Sequence, residues 1–246
     1  ACDSVRNTSN GSFSDDQIMK RKLTTGEYIL PSNIVNKIPI TKKYQFLNKI
    51  GKGSSGVVYI GKDNTGKSYA IKCINKRFIH SKQHIIDEAK IGLKINHPNI
   101  LKLKEIFEDN ERIYFVTELI EGGTLFDFIT KNPNKKLNDS LSIEIITQIL
   151  DCLNYLHNNL LICHRDIKPE NFLISIGPNN KPIIKLIDFG LATHLDKNAK
   201  INETLGTLNY CAPELILKKP YDFEVDLWAT GVLLFNMLTG FEPFAG

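Results

Sequence analysis

The sequence predicts an α+β fold of two lobes, in which a five-stranded antiparallel sheet with one helix precedes a mainly helical region. Short runs of β-branched and aromatic residues, separated by glycine turns, extend from Tyr44 to about Ile74, as expected for antiparallel strands. A helix carrying Glu88 follows, and two further strands end at the FVTEL run of residues 115–119. The apolar spacing then changes to three and four, at Ile146, Ile149, Leu150, Leu153 and Leu156. This spacing indicates an amphipathic helix whose apolar stripe belongs to the core.

The domain organisation follows from these elements. The amphipathic helix is expected to begin at Asn138 or Asp139, because either side chain can cap a first turn. We expect residues 44–120 to form the first lobe and residues 121–246 to form the second, which is incomplete because it stops before its last helices. Residues 1–43 are expected to be a partly disordered extension.

The extension divides into two parts. Residues 1–17 are rich in Ser, Asn, Asp and Gly, so they bury too little apolar surface to offset the entropy of ordering and should be mobile. Residues 19–40 carry scattered apolar side chains, and we expect this part to pack back onto the first lobe.

Composition and charge exclude several classes of protein. A chain of 246 residues with 42% apolar residues can bury a substantial core, and no run of about twenty apolar residues predicts a membrane span. The net charge of +4 is too mild to indicate nucleic-acid binding. The cysteines show no C-x-x-C spacing, which argues for reduced thiols in a cytoplasmic protein rather than a disulfide framework or a zinc site. They are Cys2, Cys73, Cys152, Cys163 and Cys211.

Three motifs follow one another between residues 164 and 214: HRDIKPEN, IDFG and GTLNYCAPE. Phosphoryl transfer relies on positioning and charge neutralisation, which calls for acids, amides and a lysine. Asp166 would accept or orient the proton of the attacking hydroxyl, and Lys168 would sit beside the transferring phosphoryl group. Asn171 and Asp188 would hold Mg²⁺ as hard oxygen ligands. The motifs therefore predict a phosphoryl-transfer site.

The glycine-rich run IGKGSSGVV of residues 50–58 extends the pattern. Gly51, Gly53 and Gly56 would let backbone amides approach ATP phosphates. A dinucleotide-binding turn is the alternative, but it needs a helix after the third glycine, and strand-forming residues follow here. With these motifs in this order, the chain resembles the protein kinase family from about Tyr44 to Gly246.

The resemblance implies the nucleotide contacts. Lys72 in YAIK would bind the α- and β-phosphates and pair with Glu88, with the adjacent Asp87 as the alternative acid. Residues 118–121 would form the hinge against adenine, with Thr117 as the gatekeeper behind it. The expected nucleotide-binding residues are Ile50, Gly51, Gly53, Gly56, Val58, Ala70, Lys72, Glu88, Thr117, Glu118, Leu119, Leu173 and Asp188.

Lys168 and the GTLNYCAPE run are similar to the serine/threonine branch, in which Thr207 would bond both Asp166 and Lys168 as part of the catalytic set. Within that branch the chain most resembles calcium/calmodulin-regulated kinases, and above all calcium-dependent protein kinases of plants and protists. The resemblance implies ATP and Mg²⁺ as cofactors, protein substrates with Ser or Thr acceptors, and a calcium-binding module outside this sequence. Basic substrates are implied only weakly, because Thr124 and Asn236 replace acidic residues and Glu170 alone remains.

Other departures from the family pattern lead to further expectations. Glu203 stands where related kinases carry a phosphorylated threonine, so it would pair with Arg165 without phosphorylation; an unpaired exposed glutamate is the alternative. Gly92 replaces a leucine that normally packs against Leu103, which predicts a gap and a helix that swings out easily. Ser55 replaces an aromatic residue at the tip of the glycine-rich loop.

A different class of function is a pseudokinase or scaffold that binds nucleotide or partners without catalysis. Such proteins generally lose the lysine or one of the two aspartates, whereas Lys72, Asp166, Asn171 and Asp188 are all present. An active kinase is therefore the favoured interpretation. We also expect Asp226 to anchor the catalytic loop from below.

Overall fold

The computed structural model describes residues 28–53, 56–79, 81–196, 199–203 and 205–244. The smaller lobe is a five-stranded antiparallel sheet of order β1-β2-β3-β5-β4, as the sequence predicts. Its elements are β1 (Tyr44–Gly53), β2 (Gly56–Asp63), β3 (Ser68–Asn75), α1 (Lys82–Lys94), β4 (Leu103–Glu108) and β5 (Arg112–Glu118). The glycine-rich run joins β1 to β2 as a hairpin, which excludes the dinucleotide-binding alternative, and its predicted tip, Ser55, lies outside the described residues.

The larger lobe is mainly helical and carries two small antiparallel ladders, β7 with β8 and β6 with β9. Its elements are α2 (Leu125–Lys131), α3 (Asp139–Asn154), β6 (Ile162–Cys163), β7 (Phe172–Ile176), β8 (Pro182–Leu186), β9 (Thr193–His194), α4 (Pro213–Ile216) and α5 (Glu224–Thr239). Among the described residues, no helix is long and apolar enough to cross a membrane.

Helix α3 begins as predicted, because the Asn138 side chain accepts a hydrogen bond from the Leu141 amide. Ile149 and Leu153 are buried in the core of the larger lobe. Leu150, by contrast, is 45% exposed, so its assignment to the core stripe is wrong. It follows Ile149 directly, and one residue turns a helix by about 100°, which carries its side chain off the buried face.

The predicted gap at Gly92 is absent. A Cβ built at Gly92 would lie 3.1 Å from both Cβ and Cδ2 of Leu103, closer than ordinary van der Waals contact. Leu103 already fills the space that a larger residue on α1 would need. The expectation that α1 is loosened by missing packing at this position is therefore wrong.

The described part of the extension packs onto the smaller lobe, as expected for residues 19–40. Ile29 and Leu30 are buried in one core cluster with residues of α1, β4 and β5. Ile40 is buried in a second cluster with Tyr44 of β1. Residues 1–27, which include the predicted mobile part, lie outside the described residues.

Candidate active site

The loop of residues 164–171 is held in place by Asp226 of α5. Its carboxylate accepts hydrogen bonds from the amides of His164 and Arg165, both at 2.8 Å, and lies 2.8 Å from Nε2 of His157. Burial by itself would raise the pKa of Asp226, but the hydrogen bond and charge of His157 and the backbone donor outweigh it and lower the pKa. The predicted anchor is present, although nothing in the sequence indicated that His157 would join it.

The backbone at this loop is strained. Arg165 has a φ of 68°, a left-handed conformation that L side chains rarely adopt. Gly206 has a φ of 124°, and a Cβ there would lie 2.9 Å from the carbonyl oxygen of Arg165. Glycine is therefore needed at position 206 for the GTLNYCAPE run to approach the catalytic loop.

Asp166 is surrounded by three side chains. Thr207 donates its hydroxyl to Asp166 Oδ1 at 2.7 Å, and Lys168 Nζ lies 2.8 Å from the Thr207 oxygen and 2.7 Å from Asp166 Oδ2. Asn171 donates from Nδ2 to the carbonyl oxygen and Oδ2 of Asp166, at 2.7 and 2.8 Å. The bonds expected of Thr207 are formed, and the carboxylate is held in one orientation.

The Lys72 ammonium pairs with Glu88 on α1, with 2.8 Å between Nζ and Oε1. Asp87 instead accepts a hydrogen bond from Gln83 on the exposed side of the helix, so the choice between the two acids falls on Glu88. Asp188 Oδ1 is 3.9 Å from the same ammonium. Burial would lower the pKa of Lys72, but the charges of Glu88 and Asp188 outweigh it and raise the pKa, so the lysine is fully charged.

The two lobes bring these groups to one place. Asp188 accepts a hydrogen bond from the Gly190 amide at 2.9 Å. Burial would raise its pKa, but the charge of Lys72 and this bond outweigh burial and lower it. A cavity of about 350 Å³ is lined by Asp166, Lys168, Asp188, Gly190, Leu191, Gly206 and Thr207. Acids, a lysine and a hydroxyl thus face a common open space.

The predicted adenine region is less completely defined. Ala70 of β3 lies opposite Thr117 of β5 in the sheet, and Val58 of β2 lies opposite Lys72. Leu173 of β7 bridges to Thr124, at the start of α2. Their roles toward a nucleotide, with those of Ile50, Gly51, Gly53, Gly56, Glu118 and Leu119, stay predictions.

Sequence reasoning missed two features of the segment that joins the lobes. Glu118 forms an ion pair with Lys185 of β8, with 2.6 Å between Nζ and Oε1. A Cβ at Gly122 would lie 1.7 Å from the carbonyl oxygen of Ile174, so the backbone passes against β7 where only glycine fits. The GG pair at residues 122–123 was a sequence signal for this close approach.

Glu203 pairs with Arg165, with 2.8 Å between Oε2 and Nη1. The Arg165 side chain is 3% exposed and also donates from Nε to the Leu191 carbonyl oxygen at 2.7 Å. Burial would lower the pKa of Arg165, but the hydrogen bond from Glu203 outweighs it and raises the pKa. Tyr221 donates to the Glu203 carbonyl oxygen at 2.7 Å. The alternative of an unpaired glutamate is wrong.

Comparisons with known proteins agree with this geometry. The family described as "Protein kinase domain" matches residues 44–246. Calcium-dependent protein kinase 4 of Plasmodium berghei (strain Anka) is 39% identical over 229 residues, which cover 92% of this chain and 42% of that protein. Myosin light chain kinase A of Dictyostelium discoideum is 38% identical over 210 residues, covering 84% of this chain and 70% of that protein.

A mammalian relative gives a similar result. Calcium/calmodulin-dependent protein kinase type IV of Mus musculus is 37% identical over 210 residues, covering 85% of this chain and 44% of that protein. The chain spans less than half the length of the calcium-dependent protein kinases it matches. The chain belongs to the protein kinase family, as a serine/threonine-type member similar to calcium-dependent and calcium/calmodulin-dependent kinases.

Proposed function

We propose that this chain is the catalytic part of an active serine/threonine protein kinase, which transfers the γ-phosphoryl group of Mg-ATP to a Ser or Thr hydroxyl of a protein. The observation that carries the proposal is the arrangement around one cavity of Asp166, oriented by Thr207, and Asp188, held near the Lys72–Glu88 pair. Each group is of the type that phosphoryl transfer requires.

Asp166 orients the incoming hydroxyl. Oδ1 and Oδ2 each accept a bond from Thr207 or Asn171, which fixes the carboxylate plane before substrate arrives. The acceptor proton moves toward this carboxylate as the oxygen attacks phosphorus. Lys168, held 2.7 Å from Asp166, supplies a positive charge next to the reacting group.

The residues present fit a magnesium ion. Mg²⁺ prefers hard oxygen ligands, and Asp188 supplies a carboxylate whose pKa is held below its usual range. Both hydrogen bonds of the Asn171 side chain use its amide nitrogen, which leaves the amide oxygen as a ligand. Bound Mg²⁺ neutralises charge on the phosphate oxygens. Lys72, fixed by Glu88, binds the α- and β-phosphates from the other side.

The fit to ATP extends to the smaller lobe. The β1–β2 hairpin has glycines at residues 51, 53 and 56, and amides there can approach phosphates closely. Thr117 and residues 118–119 follow β3 and β5 into the segment that joins the lobes, where backbone groups can pair with adenine. Val58, Ala70 and Leu173 supply the apolar surfaces of the purine site.

We further propose regulation by calcium and proteins as substrates, because the relatives are named calcium-dependent or calcium/calmodulin-dependent kinases. A calcium-binding module would then lie outside this sequence. We place the protein in the cytoplasm, since Cys73, Cys152, Cys163 and Cys211 all have free thiols. A basic substrate rests on Glu170, because Thr124 serves here as the N-cap of α2.

The test compares wild type with Asp166→Asn, using labelled ATP, Mg²⁺ and a generic basic protein substrate. Removing a positioned acid–base group lowers turnover by about 10²- to 10⁴-fold. Lys168→Arg serves as a second variant that keeps the charge but changes its geometry. Equal label transfer by wild type and Asp166→Asn would end the kinase proposal, and nucleotide binding without transfer would favour the pseudokinase alternative.

A further inference from the structure

Residues 28–36, called here the strap, lie against α1. The backbone amide of Asn36 donates to the Ile106 carbonyl oxygen of β4 at 2.8 Å, and its side chain donates to Glu105 at 3.0 Å. Ile29 and Leu30 are buried in the cluster that holds Ile85 and Ala89 of α1. The strap and α1 therefore share one apolar core.

Glu108 of β4 fixes the start of the strap. Its fully buried carboxylate accepts hydrogen bonds from the amides of Ile29 at 2.6 Å and Leu30 at 3.0 Å, and lies 2.8 Å from Nζ of Lys76. The ring of Tyr28 packs on the same ammonium, 5.0 Å from its centroid. A buried carboxylate is tolerated only when donors satisfy it, and two of these donors come from the strap.

The contact with α1 matters because of where Glu88 lies. Glu88 precedes Ala89 directly and follows Ile85 by one turn, so these residues share the buried face of the helix. On the β4 side, α1 meets Leu103 through Gly92, which has no side chain to interlock with the strand. The apolar strap thus supplies side-chain packing that holds α1 close to the sheet.

We propose that Glu108 is a positioning residue, which holds the strap on α1 and through it holds Glu88 on Lys72. The order of contacts is continuous: Glu108 binds the strap backbone, Leu30 shares a core with Ile85 and Ala89, and their neighbour Glu88 meets Lys72 at 2.8 Å. The effect on catalysis rests on the proposed function, whereas the effect on α1 does not.

The experiment uses the full chain with Leu30→Ala, and with Ile38→Ala as the matched control, because Ile38 is a neighbouring apolar residue that is 48% exposed. Hydrogen exchange is followed in α1, with α3 as the internal reference. Truncating the buried leucine should speed exchange of α1 amides about tenfold or more and leave α3 unchanged. Turnover divided by KM for ATP should fall by a similar factor, and Leu30→Met should restore both.

Glu108→Gln tests the buried carboxylate itself. The amide NH₂ replaces one acceptor oxygen and faces a backbone N–H, so the strap should be released with the same exchange and kinetic changes as in Leu30→Ala. Glu111→Gln is the control, because Glu111 is an exposed acid of the adjoining turn.

If both variants unfold at lower temperature while α1 exchange and KM for ATP match wild type, the strap only adds stability and the positioning proposal is wrong. If wild type shows no phosphoryl transfer, the proposed function fails, and α1 exchange alone decides whether the strap holds the helix. Faster exchange confined to residues 28–36 also contradicts the proposal.

Discussion

Replacing Glu203 with alanine tests whether a built-in carboxylate does the work of a phosphate on the activation segment. In the structure Glu203 Oε2 bonds the buried guanidinium of Arg165 at 2.8 Å, while Tyr221 holds its carbonyl oxygen. We expect protein that has never met ATP to be active already, because the anion that Arg165 needs is supplied by the sequence.

The magnitude follows from the exposure of the two partners. A hydrogen bond between charged groups is worth roughly 1.5 to 3 kcal/mol. The Glu203 side chain is 62% exposed, so water and salt screen the pair and the figure must be reduced to about 1 kcal/mol. Arg165 keeps its bond to Leu191, which limits the loss further. Glu203→Ala should therefore lower turnover about two- to fivefold rather than abolish it.

The assay measures kcat and KM for wild type and Glu203→Ala after phosphatase treatment, with Asp196→Ala as the control. Asp196 is an exposed acid of the same segment, 88% exposed, and pairs only with His194 at 3.7 Å among the contacts described. Raising the salt concentration should narrow the difference between wild type and Glu203→Ala. Phosphatase-treated wild type that is silent until Thr207 or Thr204 is phosphorylated would refute the reasoning.

Two further predictions concern α1 and the catalytic loop. Gly92→Leu should lower both stability, by about 1–3 kcal/mol, and activity, because its side chain would collide with Leu103; higher basal activity would show that α1 has room to repack. Asp226→Asn should flatten the pH dependence of stability below about pH 5. The pKa of Asp226 is lowered in the folded state, so the carboxylate contributes stability above its unfolded pKa, about 3.9, that is lost as pH falls through the folded value. Urea unfolding of both proteins between about pH 3 and pH 7 measures this, and parallel curves would contradict it.

Much of the site could be predicted because each motif carries its chemistry on adjacent residues. The spacing of HRDIKPEN placed Asp166, Lys168 and Asn171 on one loop, and the structure joins them by bonds of 2.7 to 2.8 Å. The strand order followed from glycine turns and from β-branched residues. Such local patterns depend on neighbouring positions, so a single sequence suffices to recognise them.

What could not be predicted depends on distant residues. The Gly92 gap was inferred from the missing side chain alone, whereas Leu103, eleven positions later, leans into that space. His157 meets Asp226 across 69 positions, and Glu108 reaches the Ile29 amide across 79. A buried carboxylate looks like any surface acid until its donors are seen, which is why Glu108 attracted no attention in the sequence.

The site is held by three carboxylates that differ in exposure, and this difference separates fixed parts from adjustable ones. Asp226 is 1% exposed and Glu88 is 9% exposed, so the catalytic loop and α1 are tied by contacts that salt screens little. Glu203 is the exposed member of the set, and it alone pairs with a residue of the catalytic loop from the activation segment. Chemistry at Asp166 is thereby supported rigidly from below by α5 and more weakly from the side by the activation segment. Changes in solution conditions or a modification near Glu203 therefore act on the ordering of that segment before they reach the geometry of Asp166.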